Sequence, residues 1–99
     1  MANGYKVIWT DFALVELENT IEYLERNWTE REIKRLVAKL EDTLKLISKN
    51  PELFQNSDSK NVRRAVVTKH NVLYYRQKSD ALEIISFFST VQNPNRKNF

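Results

Sequence analysis

The chain has 99 residues, 41% of them hydrophobic and 29% charged, with one histidine and no cysteine. That is enough for one domain spanning residues 1–99 with a single core; it leaves no disulfide framework or thiolate chemistry, and no run approaches the ~20 apolar residues of a membrane helix. The net charge of +3 is uneven: residues 1–50 carry eight Lys/Arg against nine Asp/Glu, residues 51–99 eight against four, so the second half suits an acidic partner, nucleic acid or protein, if it is more than a solvated basic face.

No signal-like apolar segment opens the chain, which points to the cytoplasm. Tyr5 to Trp9 is β-prone and predicts a first strand. Thr10 and Asp11 then supply an N-cap and a first-turn negative charge. Leu14, Leu17, Ile21, Leu24 and Trp28 repeat at helical spacing, while Glu16, Glu18, Glu22 and Glu25 gather away from that stripe. The helix is predicted to end near Asn27 or Trp28.

Thr29 and Glu32 form a capping-box pattern, in which the hydroxyl bonds the Glu32 amide and the carboxylate reaches back. A second helix therefore starts at Glu30, with Ile33, Leu36, Val37, Leu40, Leu44 and Ile47 as its apolar stripe. Asn50-Pro51 stops it. The short joint predicts an antiparallel helix hairpin. Pro51 to Lys60 reads as a polar connector anchored by Leu53 and Phe54.

Val62–Val67, Val72–Lys78 and Leu82–Phe88 are rich in β-branched and aromatic residues, and Thr68–Asn71 and Ser79-Asp80 break them at hairpin spacing. The order is β-α-α-β-β-β. The first strand must join the later three, because a lone strand leaves its backbone groups unpaired. The expected architecture is α+β: a helix hairpin on one face of a small, mostly antiparallel sheet, the other face left open or holding a partner. Residues from about 90 to 99 form a basic tail.

One histidine and no acidic cluster at ligand spacing predict no metal, and no cofactor is implied. A single glycine, Gly4, excludes a Gly-rich phosphate loop, and nothing arranges a Ser-His-Asp triad. Positive charge on the sheet is what remains: Arg63, Arg64, Lys69, Arg76 and Lys78. Arginine grips phosphate through two parallel N–H donors and stays charged. Arg63 and Arg64 are neighbours on a strand, so one faces outward and the other tethers a helix or connector. Tyr74 and Tyr75 divide in the same way. His70, in a turn, is either solvated or a proton-transfer group.

Three stretches carry a resemblance: Val62 to Arg64, Lys69 to Arg76, and Leu82 to Pro94. With the length and element order they resemble the RelE/ParE superfamily of bacterial type II toxins across essentially the whole chain. The resemblance implies a growth-inhibiting, plasmid-stabilising toxin, held inactive by a cognate antitoxin in a hetero-oligomer. It implies either ParE-like inhibition of DNA gyrase by binding, or RelE-like metal-free cleavage of messenger RNA on the ribosome. In the nuclease case Arg64 and Arg76 would steady phosphate while His70 or Tyr75 moved a proton. In the binding case Arg63, Arg64, Lys69, Arg76, Lys78, Gln92, Arg96 and Lys97 would meet the target. Val91 stands where related chains often carry an arginine, and residues 95–99 offer no Tyr or His acid. The ParE-like reading is therefore the expectation, with the nuclease or a degenerate, non-toxic relative as alternatives.

Overall fold

The computed structural model describes residues 4–54 and 61–90. Strand β1 (Lys6–Trp9) leads into helix α1 (Asp11–Asn27) and helix α2 (Glu30–Lys49); β2 (Arg63–Thr68), β3 (Asn71–Lys78) and β4 (Ala81–Ser89) follow. The sheet order is β1-β4-β3-β2. β1 runs parallel to β4, from Lys6 opposite Ala81 to Trp9 opposite Ile84, and the last three strands are an antiparallel meander. This is the expected α+β fold, with each element boundary within about one residue of its predicted place. Ser79 has φ 58°, the positive sign that a two-residue hairpin turn needs at its first central position.

Both helices lie on one face of the sheet. Ala13 from α1, Leu36, Leu40 and Ile47 from α2, and Ala65, Val67, Leu73, Tyr75, Leu82, Ile84 and Phe87 from the strands form the main core. The apolar stripe on α1 is shifted from its predicted position, whereas that on α2 holds apart from Val37. On α1 the buried residues are Ala13 and Thr20, with Leu17 and Leu24 partly buried beside them, whereas Leu14 and Trp28 are exposed. Small residues let the helix backbone approach the sheet closely, and Thr20 meets its own need by donating to the Glu16 carbonyl at 3.0 Å. On α2 the buried line is Leu36, Leu40, Thr43 and Ile47; Val37 is 39% exposed and falls outside it. Phe54 packs on the core as expected, but Leu53 is exposed.

The caps follow the sequence with one change. Thr10 Oγ1 accepts from the Ala13 amide at 3.1 Å and donates to the Ile84 carbonyl at 2.9 Å, so one hydroxyl starts α1 and fastens it to β4. At α2 the Thr29 hydroxyl donates to the Glu32 carboxylate rather than accepting from its amide. That bond holds the Glu32 carboxyl below the ordinary glutamate range.

Glu16 departs most from expectation. Sequence spacing puts it with the solvent-facing glutamates, yet its Oε1 accepts from the Phe87 amide at 2.8 Å and the Ser86 hydroxyl at 2.6 Å. β1 pairs with β4 only as far as Ile84, so the next stretch of that edge needs another acceptor. Glu16 supplies it. Replacing Glu16 with Ala leaves a fully buried Ser86 hydroxyl and a strand amide without their acceptor, and an expected loss of about 1–3 kcal/mol follows. Urea unfolding measures it; a loss inside ±0.5 kcal/mol, as at ordinary surface sites, contradicts this role.

Candidate target-binding face

Strand alternation decides which arginine faces which way. Arg63 lies opposite Tyr75 and Arg64 opposite Tyr74. Tyr75 belongs to the main core, so Arg63 shares the helix side and Arg64 the far side. Arg63 donates from its guanidinium to the Phe54 carbonyl at 2.6 Å, and is thus the connector tether. Tyr75, 0% exposed, donates its hydroxyl to the Pro51 carbonyl at 2.8 Å. Together these two bonds hold the start of the connector against β2 and β3.

Burial pushes the Tyr75 phenol above its ordinary pKa, opposed by the neighbouring Arg63 charge. A buried, committed phenol on the helix side is poorly placed to move a proton for a substrate on the far side. The raised value also fixes a pH dependence. Its stabilisation is fully present below the unfolded tyrosine pKa of about 10 and is lost as pH climbs through the folded value. Tyr75→Phe should cost about 0.5–1.5 kcal/mol at neutral pH and flatten this alkaline decline. An unchanged slope of stability against pH above about 10 would exclude Tyr75 as its source.

The far side is not bare, as the sequence suggested. Val62, Val72, Tyr74 and Phe88 form a second buried cluster there, with Ile85 packed against it. Tyr74 faces the far side but is buried in that cluster, so neither tyrosine projects outward. The polar part of the face is Arg64, exposed, and Arg76, whose Nε donates to Glu83 Oε1 at 2.7 Å. Arg64 and Arg76 are diagonal neighbours across β2 and β3, about 7–8 Å apart at the backbone. Glu83 was the unforeseen member, yet a two-residue turn pairing Lys78 with Ala81 also places Arg76 opposite Glu83. The signal lay in the turn length.

Near that end of the hairpin Arg63, Arg76 and Lys78 line a polar cleft of about 400 Å³ with Glu52, Asn61 and Gln77. Lys69 and His70 are exposed in the β2–β3 turn at the opposite end. Six residue steps along β3 separate His70 from Arg76, roughly 20 Å at strand spacing. The basic residues thus spread along one hairpin, and His70 does not converge with the arginines on one centre. Gln92, Arg96, Lys97 and Val91 lie outside the described residues. Among the described residues no group of three His, Cys, Asp or Glu could hold a metal, and no helix is long and apolar enough to cross a membrane.

Solved structures share this arrangement. The chromosomal ParDE toxin–antitoxin system from P. aeruginosa matches with a TM-score of 0.73 at 13% identity, covering 89% of this chain and 98% of that one. The YoeB dimer from Staphylococcus aureus matches at 0.61 and 18%, covering 88% and 97%. The E. coli DinJ-YafQ toxin-antitoxin complex matches at 0.60 and 12%, covering 91% and 97%. These likenesses are of fold. No curated protein sequence matches the chain. The sequence pattern of the ParE toxin of type II toxin-antitoxin systems, parDE, however, matches residues 7–94, nearly its whole length, and the chain therefore belongs to the ParE toxin family.

Proposed function

We propose that this toxin inhibits growth by binding rather than by catalysis, ParE-like, on a cytoplasmic target such as DNA gyrase, and that a cognate antitoxin covers it in a hetero-oligomer. Arg64, Arg76 and Lys78 are its contact residues, with Lys69 at the turn and Gln92, Arg96 and Lys97 of the tail extending them. The observation that carries the reading is the scatter of the acid–base candidates. Tyr75 is spent on the Pro51 carbonyl on the helix side, and His70 sits at the turn, far along β3 from Arg76. General acid–base catalysis needs its groups within about 3 Å of the proton they move. Binding through a charged strand face needs no such convergence. The family match, and a fold shared with toxin–antitoxin complexes, support the antitoxin.

The test is pulse incorporation of labelled thymidine and labelled methionine in bacteria minutes after induction, in wild type and His70→Gln. Thymidine uptake falling first, equally in both, is the expected result. Methionine uptake falling first, with His70→Gln relieving it, would overturn the proposal in favour of messenger RNA cleavage.

A further inference from the structure

The two edges of the sheet are treated differently. β1 is only four residues long, and where β4 runs on past it the Glu16 carboxylate accepts from the Phe87 amide at 2.8 Å. Short or covered edges of this kind keep stray strands from adding. β2, at the other end of the sheet, has six residues and no described strand beside it.

Pairing alternation decides which backbone groups that open edge presents. Lys78 and Ala81 flank the two-residue turn and lie opposite each other, which makes them a hydrogen-bonded pair and turns the even-numbered residues of β3 toward β4. The Thr90 amide, donating to the His70 carbonyl at 2.8 Å, agrees. Tyr75 and Leu73 therefore bond to their partners Arg63 and Ala65, and the N–H and C=O groups of Arg64 and Val66 point off the edge. The side chains of the same two residues lie on the far face. The register then shifts between Val66 and Thr68, so the regular edge ends at Val66.

Val66 is 53% exposed. A single exposed valine is ordinary, but this one ends an apolar row: it pairs with Val72, which pairs with Phe88, and both of those are buried. The next row runs from Tyr74 out to the exposed Arg64. The edge thus offers one cation and one apolar side chain two residues apart, each beside outward backbone donors and acceptors. From this geometry we infer that an extended segment of the target protein adds to the four-stranded sheet along Arg64 to Val66, with an acidic side chain opposite Arg64 and an apolar one, two residues away, opposite Val66. Edge addition draws affinity from main-chain bonds and specificity from alternate side chains, and cross-strand pairing adds to it. A nucleic acid has no main-chain row to match this edge. It would also meet a valine on either side of Arg64, Val62 and Val66, where successive phosphates call for cations. The inference rests on Arg64 being a target contact, as proposed above, and adds the binding mode and the chemistry of the partner segment.

The experiment follows amide hydrogen exchange of the full chain by mass spectrometry, with and without purified DNA gyrase, beside gyrase binding to immobilised variants. Exchange at residues 63–66 is expected to slow roughly tenfold or more in the complex. Val66→Lys should weaken gyrase binding about tenfold, the scale of one lost anchor, whereas Val66→Ile should preserve it; circular dichroism checks that both are folded. Binding that needs Arg64 but is indifferent to Val66→Lys, with no slowing at 63–66, overturns the inference and leaves Arg64 a target contact. Tighter binding by Val66→Lys also overturns it, assigning the edge to the phosphates of gyrase-bound DNA. Slowing at 63–66 in the free toxin that grows with its concentration overturns it in favour of a second copy of this chain. Failure of the wild type to bind gyrase removes the inference together with the function proposed above.

Discussion

Arg64→Ala is expected to abolish growth inhibition while leaving the toxin folded and abundant. The side chain stands exposed on the edge strand of the sheet and makes no ion pair with a described residue, so truncation removes little from the fold. At the target the loss is different in kind. Arginine at the centre of an interface is a common hot spot, costing about 2 kcal/mol or more, or roughly thirtyfold in affinity. Arg64→Lys keeps the charge but loses the paired donors, and should fall between the two. Arg76 is less decisive, because Glu83 already holds it; Glu83→Gln should strengthen target binding slightly. Viable counts after induction, with toxin abundance checked by immunoblot, measure these effects. Full toxicity in Arg64→Ala at normal abundance would remove this residue from the contact face.

Much of this was legible because local signals agreed. β-Branched and aromatic runs separated by Ser79-Asp80 and by Thr68–Asn71 leave little choice but a meander. Thr10 and Asn50-Pro51 bracket the helix pair with ordinary caps and breaks. Phase was harder to read. For α1, two overlapping lines of residues share helical spacing, and weighting by side-chain size selects Leu14 and Trp28. The sheet instead demands close approach, which Ala13 and Thr20 permit. For β2, alternation puts Arg63 and Arg64 on opposite faces, but their assignment waits on Tyr75 entering the core beside the Pro51 carbonyl. Glu16 was illegible for another reason. Its role arises because β1 ends before β4 does, which is a fact of pairing length between segments some 70 residues apart.

The same comparison makes Leu40 the sharpest test of the helix face. It lies midway along α2, in line with Leu36, Thr43 and Ile47, and retains 7% exposure. Both the sequence period and the observed packing place it in the core, in contrast to Val37, where they disagree. Leu40→Ala should therefore cost about 2–5 kcal/mol, from lost burial and the cavity left against the strands. Val37→Ala should stay within about 0.5–1 kcal/mol, since its side chain is already in contact with water. Domains of this size have only about 5–15 kcal/mol of total stability, so the first change should visibly lower the thermal midpoint and the second should not. Paired urea melts decide it. Equal losses at the two positions would mean that α2 is rotated on the sheet.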